Sequence, residues 1–462
     1  MNKRYSTSLF IFRRDLRLFD NNGLNAALRQ SDRVLACFIF DPRQIEPHPY
    51  QSWPGFQFML EALQDLQCQF QQTGGFLYLF NAQPETVISQ VHQQRQIEAV
   101  FVNRDYTPFS KMRDADLQCV CRDLSISFHS CADVLLNEPE EVQKADGSAY
   151  QVFTAFYNRA RQIPVALPQA LAGGRFVQDF TETVNLIDTF KQPHDNSLHG
   201  GRHAALEQLE SLKSCQNYSE QRDFPAITAT SELSPYLKFG CCSIREAYYA
   251  VLATLGSEHS LLRQFYWRDF FTHIAHHFPH VFGHAFHPRY DKIAWRNKAE
   301  EFEAWTQGRT GFPIVDAGMH QLNQTGCMHN RVRMITASFL VKDLQIDWRW
   351  GERYFAQHLL DYDPCLNNGN WQWAASTGCD AQPYFRIFNP WLQQKKFDAD
   401  CDYIKRWLPE LNSVSAAVIH GRHNKQAQVA DYPMPIVDHR VRSQETKSLF
   451  QQTLGDSRSC HV

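Results

Sequence analysis

Long apolar runs are missing from this chain. A bilayer-spanning helix needs roughly 20 predominantly apolar residues, and no stretch of the sequence supplies them. The N-terminal segment MNKRYSTSLFIFRRDLR offers only LFIF, too short for a secretory leader. A soluble, cytoplasmic protein is expected. A regular cysteine framework is missing as well. The 13 cysteines are odd in number and scattered, and the close pairs Cys119/Cys121 and Cys241/Cys242 lack metal-ligand spacing. Buried thiols in a reducing compartment are the expectation. The run THIAHHFPHVFGHAFHP (272–288) is rich in histidine but has no H-E-x-x-H and no clustered carboxylates. A structural or nucleic-acid-facing role is therefore expected for it, and no metal. A large charge imbalance is also absent. The net charge of −3 excludes a globally basic binder and leaves room for a local basic face. No repeat, low-complexity tract or heptad run is visible, so solenoids and coiled coils are excluded and a monomer is expected.

What is present divides the chain in two. At 462 residues it exceeds a single hydrophobic core. In residues 1–130, apolar runs at 8–12, 34–40, 76–80, 99–102 and 126–130 read as buried strands. Helix-like segments near 22–30, 54–73, 84–95 and 110–124 separate them. That alternation predicts a parallel, doubly wound α/β sheet. No G-x-G-x-x-G follows the first strand; the turn there is RRDLRLFDN, so an ordinary dinucleotide site is excluded. Residues 131–200 lose the pattern and read as an interdomain linker, with some helical character in ADGSAYQVFTAFYNRARQIP. Residues 201–462 read as a large helical domain with a polar, irregular tail past about 412.

Four constellations in the helical part carry chemistry. Thr230, Ser231 and Ser234 precede a helical segment, where hydroxyls and free N–H groups suit either a phosphate or an ordinary cap. Gln264, Trp267, Arg268 and Phe271 share one helix face, which suits a stacked base or a half-buried aromatic helix. His329, Asn330, Arg331, Arg333 and Met334 crowd one end of a helix. Asp361 and Asp363 precede the amide-rich stretch NNGNWQW; they suit a metal, a partner for Arg333, or a flavin or sugar. Residues two apart on a helix point about 200° from one another. Trp371 and Trp373 therefore face opposite ways, one into the protein and one toward a cavity.

The ordered set TSELSPYLKFG, WRDFF, GRTGFPIVDAGMHQLNQTGCMHNRVRMITASFLVKDLQIDWRWGERYF and NNGNWQWAASTGCDAQPYFRIFNP resembles the photolyase/cryptochrome family, most of all class I cyclobutane pyrimidine dimer photolyases. FRRDLRLFDN and DYPMPIVDH extend the resemblance nearly end to end, and it is densest over 308–390. The resemblance implies an N-terminal α/β antenna domain (1–130), a linker (131–200) and a helical domain (201–462) that holds FAD, active as FADH−, and DNA. The implied reaction is light-driven electron transfer to a flipped-out pyrimidine dimer in UV-damaged DNA. It also implies roles. Tyr218, Thr230, Ser231, Leu233 and Ser234, with Glu232, Arg268 and Tyr362, would hold the FAD. Arg333 would pair with Asp361 beside the isoalloxazine, Asp363 would accept from the flavin, and Asn367 would sit at N5. Trp267 and Trp373 would sandwich the dimer, and Gln264, Asn330, Arg331 and Met334 would line its hole. Arg222, the stretch RYDKIAWRNK (289–298), Arg386, Lys395 and Lys396 would meet DNA phosphates. Trp371, Trp348 and Trp295 would form an electron relay from the surface.

One position departs from the class I pattern, and two others favour it. Gln264 stands where dimer photolyases usually carry Glu; Gln is what (6-4) photolyases and animal cryptochromes tend to have. Against a (6-4) reading, His329 is followed by Asn330 and not by a second histidine. Asn367 differs from the cysteine of animal cryptochromes and the aspartate of plant ones. For the antenna, His48 resembles a folate-contacting histidine. However, YTPFSKMRD (106–114) lacks the Asn-Glu of folate-binding relatives, and Phe282 stands where some of them have Cys. Methenyltetrahydrofolate is expected, then a deazaflavin, then no antenna. The competing readings are a signalling cryptochrome and a dark flavin reductase; the latter would need a nicotinamide fingerprint, and none is visible.

Overall fold

The structure is a computed structural model, and it describes residues 3–180, 186–194, 196–422, 429 and 431–456. By contacts the chain forms two compact units. The first comprises Met1–His194, Leu198–Gln216 and Ser231–His277; the second comprises Asp195–Ser197, Asn217–Thr230 and Phe278–Val462.

The first unit is built on five parallel strands, β1 (Tyr5–Phe12), β2 (Ser31–Phe40), β3 (Leu77–Asn81), β4 (Ala99–Asn103) and β5 (Ser127–Cys131), in the order β3-β2-β1-β4-β5. The strand order reverses at β1, which makes the sheet doubly wound, as the sequence pattern predicts. Leu9, Ile11, Leu35, Cys37, Val100 and Val102 are buried in one core cluster with Val87, Ile88, Val91 and Leu117 of the flanking helices. Helices Trp53–Gln72, Pro84–Arg95 and Pro108–Asp123 each begin with proline in their first turn, where a missing N–H costs nothing. Ser52 and Thr107 cap two of them through Gly55 N and Ser110 N.

The RRDLRLFDN turn explains the absent glycine fingerprint. In a doubly wound sheet a ligand usually enters beyond the strand ends at the reversal. Here that place is filled by the chain's own polar side chains. Asn103 donates to Asp15 (2.6 Å) and Asn21 (2.8 Å). Arg17 and Arg245 both grip Asp133, at 2.7 and 2.8 Å, and Arg245 also reaches Asp20 at 2.9 Å. All of these groups are buried. Burial alone would raise the Asp133 pKa; the two guanidiniums outweigh it and hold the carboxyl below its ordinary value.

The second unit is helical. Its core gathers Trp305, Met319, Leu340, Trp348, Phe355 and Trp371 from successive helices. The stretch past 412, expected to be irregular, contains helix Ala416–Gly421 and the 18-residue helix His439–Asp456. That expectation is corrected. The long helix is mostly polar, and it is fixed by a few deep contacts that carry little periodic signal. Phe450 is fully buried and stacks on Tyr384 (5.6 Å, 3°). Thr446 donates to Lys342 O and accepts from Gln345. The Lys342 ammonium lies 4.1 Å from the Phe450 ring centre and donates to Ala375 O and Ser376 Oγ. Other parts of the expected tail (423–428, 430, 457–462) and of the expected linker (181–185, 195) lie outside the described residues. Among the described residues no helix is long and apolar enough to cross a membrane, and the 12 cysteines are free.

Removing one partner of a buried, bridged ion network costs about 3–5 kcal/mol. Asp133→Asn should therefore lower the urea midpoint clearly at pH 7. The folded pKa is depressed, so this stabilisation exists above the ordinary carboxylate pKa and is lost as pH falls. The gap between wild type and variant should shrink at pH 4; a gap that widens there would contradict the ion-network account.

Candidate active site

In the second unit the residues singled out above cluster on two helices. Helix Asn330–Ser338 is capped by His329, whose Nδ1 accepts from Arg331 N. Burial, then the two neighbouring arginines set against Asp223, lower the His329 pKa to about 4. The ring is therefore neutral and carries its proton on Nε2. Arg331 pairs with Asp223 (2.8 Å) and lies over the Phe397 ring (4.5 Å). Arg333 donates to Met328 O (2.8 Å) and pairs with Asp361 (3.1 Å), the partnership expected from the sequence. Asn330 is exposed, and its amide nitrogen is 3.7 Å from the Met334 sulfur one turn on.

Helix Pro364–Ala375 is the other element. Asp363 caps it, accepting from Cys365 N and Leu366 N. Asp363, Asn367 and Trp371 follow at i, i+4 and i+8, so they form one stripe, and all three are buried. Asn367 Nδ2 donates to Glu352 O (2.9 Å), which fixes the amide plane. Trp373, on another face, is half-buried, whereas Trp371 is only 2% exposed. The two indoles diverge as helical geometry requires. Two amides around them have a different job. Asn368 and Gln372 are both buried and both donate to Val281 O. Gln372 also donates to His284 O and accepts from Phe286 N. They bolt the helix to the 281–286 segment.

Trp348 is buried and Trp295 half-buried in the same core cluster as Trp371. Trp295 packs on Phe450 (6.1 Å). Tyr218 is buried with Arg222 over its ring (5.6 Å), and Thr230 is half-buried. Tyr362 packs against the core. Arg386, Lys395 and Lys396 are exposed, as are Arg289, Lys292 and Lys298. Arg296 is instead paired with Glu301.

In the first unit, Gln264, Trp267 and Arg268 sit half-buried on helix Ser260–His277, with Phe271 buried. Arg268 donates to Val134 O (2.7 Å) and Leu237 O (3.4 Å), so its visible bonds are to the backbone. One face of the Trp267 indole is covered by Phe153, with ring centres 3.5 Å apart and planes 6° from parallel. Phe153 lies in the expected linker and was not foreseen. Ser231, Glu232, Leu233 and Ser234 precede the short helix Ser234–Phe239. Leu233 occupies the cap position, with no side-chain cap bond. The histidine run is spent on local contacts: His277 with Pro139 O, and His273 packed on Phe156. Among the described residues no group of three or more His, Cys, Asp or Glu is arranged to hold a metal. His48 is exposed and tied to Gln44 O and Tyr50 N.

Two family models match the chain. Residues 8–172 match DNA photolyase, and residues 261–452 match the FAD binding domain of DNA photolyase. A curated relative from Synechococcus, deoxyribodipyrimidine photo-lyase, is 39% identical over 96% of both chains. An archaeal photolyase structure from Sulfolobus tokodaii, described with two FAD molecules and a novel light-harvesting cofactor, is 44% identical. It covers 96% of this chain and 100% of its own, with a TM-score of 0.88. A Synechocystis cryptochrome structure is 29% identical over 97% of this chain and 100% of its own, with a TM-score of 0.88.

One glycine holds the Trp371 position open. A Cβ on Gly351 would run into the Trp371 ring and Leu340. Overpacking of this kind costs about 1–3 kcal/mol. Gly351→Ala should lower the thermal midpoint and shift Trp fluorescence; an unchanged melt would show that the indole has room to move.

Proposed function

Because this chain belongs to the DNA photolyase family, we propose that it is a light-driven DNA repair lyase that opens cyclobutane pyrimidine dimers in UV-damaged DNA. The observation that carries the reading is helix Pro364–Ala375, which presents Trp371 inward and Trp373 outward beside the Arg333–Asp361 pair. In this reading residues 1–130 serve the antenna, 131–200 link, and 201–462 bind FAD and DNA.

The donor set fits a flavin. An isoalloxazine edge offers an N–H donor and carbonyl acceptors; Asp361 and Asp363 supply carboxylates and Arg333 a guanidinium. Asn367, whose amide donates to Glu352 O, would meet the N5 edge. Tyr218, Thr230, Ser231, Glu232, Leu233, Ser234, Arg268 and Tyr362 would hold the remainder of the cofactor. When bound and reduced, the flavin supplies one electron to the dimer under blue light and recovers it after the ring opens, so no net redox change results. The chain's own groups bind and orient. Trp267 and Trp373 stack on the flipped-out bases; stacking of this kind contributes about 1–3 kcal/mol per base. Gln264 and Asn330 offer amides to the base edges, with Met334 and Arg331 lining the same hole. Arg222, Arg386, Lys395 and Lys396 meet phosphates without reading sequence. Trp371, Trp348 and Trp295 carry electrons inward to restore reduced flavin. Methenyltetrahydrofolate is the proposed antenna, with His48 among its contacts. A deazaflavin, or a second flavin as in the Sulfolobus tokodaii protein, would be told apart by extraction and absorption of the chromophore.

A second reading, a blue-light photoreceptor, is favoured by two observations: the similarity to the Synechocystis cryptochrome, and Gln264, which lacks the carboxyl proton that could stabilise a dimer anion.

Chemically reduced enzyme should restore thymines in an oligonucleotide bearing one cyclobutane dimer in blue light and not in darkness. Absence of repair with FAD bound would favour the photoreceptor, or a (6-4) lesion tested next. Trp373→Ala should weaken affinity for dimer-containing DNA about tenfold or more while sparing FAD content. Equal lesion affinity in a titration would remove Trp373 from the sandwich.

A further inference from the structure

Three consecutive residues of helix Ser260–His277 grip one stretch of the first unit at different points. The Trp267 indole stacks on Phe153 with ring centres 3.5 Å apart, and Arg268 donates to Val134 O at 2.7 Å. Asp269 Oδ2 accepts from both Leu136 N (3.0 Å) and Asn137 N (3.1 Å). The stretch 134–153 is folded back on itself by the antiparallel bridge between Gln143 and Ala149, so less than one helix turn holds both of its ends. Of these grips only the one at Asp269 can change its charge, since a guanidinium keeps its proton. Asp269 is 1% exposed and forms no ion pair among the described residues. Its second oxygen, Oδ1, is buried with no hydrogen-bond partner among the described residues. Both amide atoms of the buried Asn137 are in the same position.

We propose that Asp269 is a proton-linked positioning residue for lesion binding: as a carboxylate it clamps Leu136 N and Asn137 N and so steadies Phe153 behind Trp267, and on taking a proton it slackens that clamp. This rests on the reading of Trp267 as a residue that stacks on the flipped-out dimer. Hydrogen bonds to an ionised acceptor are roughly twice as strong as those to a neutral one. The same two N–H groups are therefore held tighter by the charged form. Asn137 completes the exchange. The carboxylate leaves Oδ1 in need of a donor, which Asn137 Nδ2 can supply. The acid makes Oδ1 an O–H donor, which Asn137 Oδ1 can receive once the amide turns end for end, directly or across one internal water. The proton comes from water and returns to it.

The surrounding groups set where the exchange occurs. Burial raises the Asp269 pKa to about 7, against the lowering by Arg268 on the same helix and by the Asn137 and Leu136 N–H groups; Glu138, on the clamped stretch, adds to the rise. Glu138 is itself engaged by Tyr106 at 2.5 Å and Arg104 at 2.9 Å. Burial raises the Tyr266 phenol, which stays neutral. Burial and then the neighbouring His277 and His276 lower His273 to about 3, and burial and then Lys111 lower His276 to about 4. Both rings are therefore neutral where Asp269 titrates, and His277 is bonded to Pro139 O. Because the folded pKa of Asp269 lies above the ordinary one, its stabilisation belongs to the protonated form. It is present in acid and is lost as pH rises through about 7. Grip and stability thus run in opposite directions with pH, which a merely structural carboxyl would not produce.

The test uses FAD-loaded enzyme and reads the ratio of affinity for a dimer-bearing oligonucleotide to affinity for the same oligonucleotide undamaged, so that phosphate contacts cancel. From pH 8 to pH 6 the wild-type ratio should fall about fivefold, with a midpoint near 7. Asp269→Asn keeps an acceptor for Leu136 N and Asn137 N but no charge. It should show the low ratio at both pH values, and it should gain on wild type in thermal midpoint between pH 6 and pH 8. A wild-type ratio flat with pH would overturn the clamp. So would an Asp269→Asn ratio that still falls, or a variant that loses ground in stability as pH rises. Should Asp269→Asn fail to fold, Asn137→Ala carries the test. Without the amide donor the carboxylate loses more than the acid, so the midpoint of the ratio should rise; an unmoved midpoint would overturn the exchange. Equal affinity for damaged and undamaged DNA at every pH would instead remove the lesion reading, and this inference with it.

Discussion

The rotational phase of helix Pro364–Ala375 is the constraint on which the second unit depends. A helix can spin about its axis unless something off-axis holds it. Here Asn368 and Gln372, one turn apart, both donate to the same carbonyl of Val281, and Gln372 also closes bonds with His284 and Phe286. These bonds lie in the interior, where an unpaired amide would be costly. The helix has one orientation that satisfies them. That orientation places Asp363, Asn367 and Trp371 along one stripe and leaves Trp373 at the outer face. The amides are therefore the reason the two indoles point where they do.

The first unit uses charge in a similar way. Where a doubly wound sheet would normally admit a ligand beyond its reversal point, Asp133 is held between Arg17 and Arg245, and Asn103 is locked to Asp15 and Asn21. Most of these polar groups pair with one another, Arg17 Nε excepted, and they fill the strand ends without glycine. The same unit packs Phe153 flat against the Trp267 indole.

Much of this was legible in the sequence. Apolar runs located the strands to within a few residues, because strands buried on both faces carry an undiluted hydrophobic signal; the half-exposed edge strand β5, SFHSC, carries a weaker one. The divergence of the two indoles followed from spacing, and the Arg333–Asp361 pair from the family resemblance. Other features were not legible, for physical reasons. The long C-terminal helix hides in polar sequence because a few buried residues, Phe450 above all, hold it. The amide run looked like a binding site although two of its members serve packing, since an amide bonded to a distant carbonyl reads the same as one awaiting a ligand. Phe153 matters through a neighbour far away in sequence, and nothing local announces that.

Lys342 gives the C-terminal helix an unexpected standing. A buried ammonium whose pKa is lowered to about 7 by desolvation donates to Ala375 O, at the end of helix Pro364–Ala375, and to Ser376 Oγ, and it lies over the ring of Phe450. The ring of Trp295 packs on the other side of that contact network, also against Phe450. The final helix thus covers two groups at once: Phe450 packs on the Lys342 ammonium and on the Trp295 indole. A chain that ended before Phe450 would keep every residue assigned to flavin and lesion, yet it would open both groups to solvent at once.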